Sequence, residues 1–218
     1  MNITIDTYLI SDTHFGQDSI IHKEPSRNII AGHLGYKNHF ELIVDNWNRK
    51  VGDDDNILHL GDVYFKDGLS YVKKLNGNKR LIIGNNDVKR FENLKKLGWK
   101  TKNKVILKIP EKHHIREKIR LKYGEIQEKI FLNGIIVDIE KERILFSHFP
   151  VFNRKINDRF DAIRDVLDDY FRFSNCSLNI HGHTHSKDTN NRFCINLSCE
   201  KTMLSPIKLG KILKNYKE

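Results

Sequence analysis

The sequence predicts an α/β protein whose first half is built on parallel strands, and three observations predict it. Short apolar runs alternate with helical periodicity through the first hundred residues. Polar clusters of Asp, His, Asn and Gly stand at the C-terminal ends of those runs, which is where parallel α/β sheets place their ligand sites. A chain of 218 residues, 39% hydrophobic and 30% charged, has a globular composition and is long enough to bury a core without disulfides.

Taken in order, Thr7-Tyr8-Leu9-Ile10 reads as a strand running into Ser11-Asp12-Thr13-His14-Phe15-Gly16. A polar stretch follows to about Asn38. Phe40, Ile43, Val44 and Trp47 then recur at helical spacing and predict an amphipathic helix over residues 39–50. Gly52 to Asn56 is a turn. Ile57-Leu58-His59-Leu60 is a buried strand ending at Gly61-Asp62, and Leu69, Val72 and Leu75 suggest a helix closed by Asn76-Gly77-Asn78. Leu81-Ile82-Ile83 is the next strand, ending at Gly84-Asn85-Asn86-Asp87, and a helix marked by Phe91, Leu94 and Leu97 stops at Gly98.

In the second half, Val105-Ile106-Leu107 reads as a strand. Residues 111–123 form a highly charged helix with Ile115, Ile119 and Tyr123 as a narrow apolar stripe. Residues 134–139 and 143–146 look like paired strands, the second ending at Ser147-His148. A helix through Phe160, Ile163, Val166, Leu167 and Tyr170 precedes the strand Leu178-Asn179-Ile180, which leads into His181-Gly182-His183-Thr184-His185. A strand at 193–197 and a short helix at 207–213 complete the chain, which is expected to form one domain over residues 1–218.

Five polar clusters therefore follow five apolar strands: Asp12-x-His14, Gly61-Asp62, Gly84-Asn85-Asn86-Asp87, Ser147-His148 and Gly182-His183-Thr184-His185. Any one alone is an ordinary turn or a surface histidine; the ordered set points to a site. In an extended segment residues i and i+2 face the same side, so Asp12 with His14, and His183 with His185, can chelate or serve adjacent ions. Carboxylate with neutral imidazole suits Mn, Fe, Zn or Ni better than Mg or Ca. A shared carboxylate such as Asp62 can bridge two ions at about 3.5–4 Å.

The ordered pattern resembles the calcineurin-like metallophosphoesterases, whose signature reads D-x-H, G-D, G-N-H-D/E, H, G-H-x-H, from Leu9 to about Leu213. It is most similar to small bacterial and phage-type members that open Ser-Asp-Thr-His-Phe-Gly; Asn46-Trp47-Asn48 and Leu75-Asn76-Gly77 also fit that subgroup. The resemblance implies a four-layer fold, two mixed β-sheets packed as a sandwich and flanked by helices. It implies two divalent transition-metal ions, manganese foremost, with iron, zinc or nickel as alternatives. Carried over position by position, Asp12, His14 and His185 bind the first ion, Asp62 bridges, and Asn85, His148 and His183 bind the second. Asn86 and Asp87 fall in the catalytic motif, with Asn85 and Asn86 against the substrate. The implied reaction is attack of a metal-activated water on a phosphoester, with nucleotides, cyclic nucleotides or nucleic acid as diester substrates. A phosphomonoesterase or protein phosphatase, and a non-catalytic scaffold of the same fold, are the alternatives.

The chain departs from the family pattern at Asn86, where the signature has a histidine; an amide can donate a hydrogen bond but gives up no proton at neutral pH. It departs again in residues 95–130, which hold twelve Lys/Arg against four Asp/Glu and include a basic helical insertion at about 108–128. This segment carries most of the net charge of +10 and is either a solvated helix or a surface for nucleic acid. Three cysteines without a CxxC pair, Cys176, Cys194 and Cys199, suit idle thiols in a reducing compartment. The N-terminus lacks signal-peptide character and no stretch is long and apolar enough to span a bilayer. A cytoplasmic location without membrane contact is expected.

Overall fold

The computed structural model describes residues 2–124, 131–154 and 158–217, so residues 125–128 of the expected insertion lie outside it. One sheet has the order β3-β2-β1-β9, from β1 (Tyr8–Ile10), β2 (Asn56–His59), β3 (Asn78–Leu81) and β9 (Ile207–Lys208). The other has the order β4-β5-β6-β7-β8, from β4 (Val105–Lys108), β5 (Gly134–Ile139), β6 (Glu142–Phe146), β7 (Leu178–His181) and β8 (Cys194–Asn196). Both are mixed: β1, β2 and β3 run parallel while β9 is antiparallel to β1, and β5–β6 is the antiparallel pair of the second sheet.

The side-chain alternation of strands builds the layers. Leu9 and Leu58 point between the sheets, where they meet Ile135, Val137, Ile144, Phe146 and Ile180. Their neighbours Ile10 and Ile57 point the other way, onto Phe40, Ile43 and Trp47 of α2 (His39–Lys50). On the far side Ile136 and Leu145 pack under Ile115 and Ile119 of α5 (Lys112–Tyr123) and under Val166, Leu167 and Tyr170 of α6 (Asp161–Phe173). Helix, sheet, sheet and helix give the four layers that the resemblance implied. The remaining helices are α1 (Ser26–His33), α3 (Leu69–Val72), α4 (Phe91–Lys96) and α7 (Leu209–Lys217), making seven among the described residues. None of the seven is long and apolar enough to cross a membrane.

Three expectations shift. The third strand ends at Leu81, so Ile82 and Ile83 are its buried exit rather than its body. Ile207 and Lys208 pair antiparallel with Leu9 and Tyr8 before the final helix begins at Leu209, because a two-residue strand carries no readable periodicity. The polar stretch before Asn38 contains α1, whose polarity is inverted. Its Ile29 is 70% exposed, whereas Arg27 and Ala31 are buried, so an inward-facing apolar stripe is missing from the sequence.

The carboxyl ends of β1, β2, β3, β6 and β7 gather at one edge of the sandwich, and cross-links join their exits. Asp12 N–H donates to Gly61 O at 2.9 Å, His14 N–H to Asp62 O at 3.1 Å and Gly182 N–H to His148 O at 3.1 Å. Asn46-Trp47-Asn48 and Leu75-Asn76-Gly77 also meet: Trp47 Nε1 donates to Asn76 O at 3.0 Å, and Asn76 N–H to Asn48 Oδ1 at 3.0 Å.

Candidate metal centre

The exits of β1, β2 and β7 make sharp turns, and with the exit of β3 they bring His14, Asp62, Asn85, His183 and His185 to a shared cleft. Asp12, His14, Asp62, His183 and His185 have φ of 57°, 49°, 59°, 68° and 52°. These are five of the eleven non-glycine residues with positive φ among the described residues. Such conformations cost on the order of 1–3 kcal/mol each and concentrate where function over-determines the backbone. Two close approaches exclude side chains: a Cβ on Gly84 would lie 2.3 Å from Asp62 Oδ1, and one on Gly182 would lie 1.9 Å from Ser11 Oγ.

Asp12 is fully buried. Its Oδ2 accepts from His183 N–H at 2.8 Å and from Ser198 Oγ at 2.9 Å, while its Oδ1 has no hydrogen-bond partner. His14 Nε2 lies 3.7 Å from that Oδ1 and is likewise buried without a hydrogen-bond partner. His185 Nε2 is 4.0 Å from the same oxygen, and its ring stacks on His14 with centroids 5.1 Å apart. Leaving such buried atoms unpaired is costly, and a cation shared by them would satisfy both.

Asp62 lies beside this group. Its Oδ2 is 3.7 Å from His14 Nε2 and 3.6 Å from His148 Nε2. Beyond His148, Asn85 presents Oδ1 to His148 Nε2 at 3.0 Å and to His183 Nδ1 at 3.1 Å. Groups of three ligand atoms within 4.8 Å of one another form from Asp12, His14 and His185, and from Asp12, Asp62 and His148. Asp12 is common to both groups and Asp62 belongs to the second, while His183 lies in neither and meets Asn85 Oδ1 instead.

The opposite ring nitrogens fix the tautomers. His148 Nδ1 donates to Leu60 O at 2.8 Å and His14 Nδ1 to Gln17 Oε1 at 2.8 Å, which turns the Nε2 of each ring toward Asp62. A buried network holds the loop carrying His148: Asn179 Nδ2 donates to Ser147 Oγ at 2.8 Å, and Asn179 Oδ1 accepts from Val151 N–H at 3.0 Å. Burial, helped by the neighbouring His148, pushes the His183 pKa down to about 2 and keeps the ring in the neutral form a metal needs. Burial disfavours the charge on Asp12, yet its pKa lies well below the ordinary value because the imidazoles of His14, His185 and His148 crowd round the carboxylate and favour its charged form. The donor set of carboxylates, imidazoles and one amide oxygen therefore fits divalent transition metals.

Asn86 and Asp87 take different positions. Asn86 lines the cleft, donating from its backbone to Asp62 Oδ1 at 2.8 Å and from Nδ2 to Asp62 Oδ2 at 2.6 Å. Asp87 is fully buried beneath it and accepts N–H bonds from Asp62 at 2.7 Å, Gly84 at 2.9 Å and Val63 at 2.9 Å. Its oxygens are committed to the backbone, so the expectation that it joins the chemistry directly gives way to a supporting place. Burial and the nearby Asp62 raise its pKa to about 6 despite those donors.

The cleft has a volume of about 720 Å³. Its lining mixes Lys23, Arg159 and Lys187 with Glu24, Asp62 and Asp188, and none of its described lining residues comes from the basic α5. Sequence reasoning missed Arg27, Glu24 and Glu200. Arg27 Nε and Nη2 both lie 2.6 Å from Glu200 Oε1, Glu200 Oε1 lies 3.4 Å from His185 Nδ1, and Glu24 Oε1 accepts from Ser186 Oγ at 3.1 Å. Glu24, His185 and Glu200 form a third group of close ligand atoms. A lone Arg or Glu in a polar stretch carries no signal that could have found them.

A family model described as calcineurin-like phosphoesterase matches residues 5–187. Among solved structures, a protein of unknown function from Aquifex aeolicus is 26% identical, with a TM-score of 0.68; the match covers 96% of this chain and 98% of that one. A predicted phosphoesterase from Streptococcus pneumoniae is 14% identical at a TM-score of 0.33, covering 88% and 70% of the two chains. An archaeal phosphodiesterase is 18% identical at 0.35, covering 89% and 84%. No curated protein matches the chain.

Proposed function

The chain belongs to the calcineurin-like phosphoesterase family and is a hydrolase acting on phosphoester bonds; on that premise we propose that it is a two-metal phosphodiesterase acting on nucleotide, cyclic-nucleotide or nucleic-acid substrates. The observation that carries this reading is the position of Asp62 Oδ2, within 3.7 Å of both His14 and His148, one proposed ligand of each ion. Asp12, His14 and His185 would hold one divalent ion, Asn85, His148 and His183 the other, and Asp62 both. When bound, such a pair, manganese foremost, lowers the pKa of water and polarises phosphoryl oxygens.

The chain's own groups bind and orient the substrate. Lys23, Arg159 and Lys187 are the cationic side chains of the cleft that a phosphoester would meet once metal ions offset Asp62 and its neighbours. Asn85 and Asn86 line the cleft, where they would meet a bound phosphoryl group, and Asn86 Nδ2 donates to Asp62 Oδ2. Asp87 acts at one remove, tying the turns of Asp62 and Gly84 to each other through their backbone N–H groups. An amide at position 86 gives no proton from that position to a poor leaving group, which favours diesters with good leaving groups over alkyl monoesters. A nucleic-acid strand could extend from the cleft to the basic residues 95–130; binding that weakens steeply with salt would support this.

The test is a hydrolysis panel with manganese comparing a bis-aryl phosphate with the corresponding aryl monophosphate. Faster turnover of the diester is expected. Faster turnover of the monoester would favour the phosphomonoesterase reading, and no turnover by protein holding two equivalents of metal would favour a scaffold.

A further inference from the structure

The fully buried guanidinium of Arg27 serves three acceptors. It donates from Nη2 to Asp12 O at 2.7 Å, from Nη1 to Thr13 O at 3.1 Å and from Nε to Glu200 Oε1 at 2.6 Å. Burying such a charge is tolerated only with a close counter-ion and satisfied donors, and Glu200, its side chain 4% exposed, is that counter-ion. Glu200 Oε2 has no hydrogen-bond partner, so the carboxylate keeps acceptor capacity beyond what Arg27 uses. His185 Nδ1, 3.4 Å from Oε1, faces it; a carboxylate only accepts, so Nδ1 carries the proton and Nε2 presents its lone pair toward Asp12.

We infer that Glu200, anchored by Arg27, is the positioning residue that fixes the tautomer and orientation of His185, so that one of the two metal positions is selectively reinforced. This rests on the two-metal reading above. The asymmetry is visible in the partners: His14 and His148 lean on neutral acceptors, Gln17 Oε1 and Leu60 O, whereas His185 leans on a carboxylate. A carboxylate partner makes an imidazole the more basic ligand. The stacking of His185 on His14 passes the constraint to a second ligand. Arg27, bound to both Asp12 O and Glu200, ties a third ligand to the same anchor. Glu24 holds the following residue through Ser186 Oγ, so the loop is clamped on both sides of His185. Glu24, Glu200 and His185 could be taken for a third cation site. The guanidinium 2.6 Å from Glu200 repels a cation there, and His185 Nδ1 already carries a proton.

The test measures manganese affinity by titration calorimetry in two backgrounds, each leaving one metal position: His148→Ala leaves the Asp12–His14–His185 position, and His14→Ala the other. Glu200→Gln is placed in each, together with the doubly neutral Arg27→Met/Glu200→Gln, which strands no buried charge if the single change unfolds the chain. Loss of an outer partner of a metal-bound histidine costs roughly 10–100-fold in affinity. That loss is expected in the His148→Ala background, with less than about 3-fold change in the other, and with partial recovery in Glu200→Asp. Equal losses in both backgrounds, or none in the first, would overturn the inference. Wild-type protein binding fewer than two equivalents would instead overturn the two-metal reading on which it rests.

Discussion

At the scale of single residues, the candidate site combines orphaned buried atoms with imidazoles gathered round one amide oxygen. Asp12 Oδ1 and His14 Nε2 are buried without partners, and Asn85 Oδ1 faces two imidazole nitrogens. The sequence singled out Asp12, His14, Asp62, Asn85, His148, His183 and His185 because each stands in a polar cluster behind an apolar run. Arg27, Glu24 and Glu200 were not, because their role depends on packing between segments 173 residues apart in the case of Arg27 and Glu200. Asn86 carries the prediction that belongs here. Its amide donates at 2.6 Å to Asp62 Oδ2 but supplies no proton to a leaving alkoxide. General-acid assistance is worth about 10²–10⁴-fold in rate. Asn86→His is therefore expected to raise kcat/KM on alkyl leaving groups by at least about 10-fold, with little change on activated aryl groups, at matched metal loading. An equal gain on both substrates, or none, would mean that proton donation at this position is not limiting.

At the scale of elements, most boundaries followed the hydrophobic period, and the failures have physical causes. The helix α2 begins at its expected place because Asn38 caps it, accepting from Glu41 N–H at 2.9 Å. In α1 the pattern is inverted by function: a buried arginine replaces the apolar stripe, and Ile29 and Leu34 are left exposed. The helix α5 shows the opposite case. Its narrow stripe of Ile115, Ile119 and Tyr123 is the face that meets α6: Ile115 and Ile119 join the core cluster, and Tyr123 hydrogen-bonds Asp165 O at 3.2 Å. Lys122 adds an ion pair to Asp169. Ile119→Ala should cost roughly 2–5 kcal/mol through the cavity it leaves. Leu121→Ala, on a side chain 76% exposed, should stay within about 0.5 kcal/mol. Urea unfolding midpoints check both; equal effects would mean that the stripe does not carry the contact.

At the scale of the whole molecule, two sheets bring distant strand ends to one edge, and this convergence makes the site. The alternation of Leu9 with Ile10, and of Ile135 with Ile136, commits each strand to both the inter-sheet core and a helical layer. The strand exits then have only the sandwich edge to occupy. The parallel half of this arrangement was readable from the alternating elements of the first hundred residues. The pairing of two separate sheets came from the family resemblance, because no local pattern distinguishes a second sheet from an extension of the first. The charge of the chain is divided in the same way. Basic α5 lies on the outer face of the second sheet, apart from the described lining of the cleft, where Lys23, Arg159 and Lys187 stand instead.

The central claim is that one carboxylate, Asp62, joins two metal ions in this cleft, and electron paramagnetic resonance of the manganese-loaded protein tests it most directly. Two ions bridged at about 3.5–4 Å are expected to couple magnetically. The wild type at two equivalents should therefore give the spectrum of an exchange-coupled pair, and Asp62→Asn should bind less manganese and give only uncoupled ions. An uncoupled spectrum from wild-type protein holding two equivalents, or a coupled one unchanged in Asp62→Asn, would contradict the account.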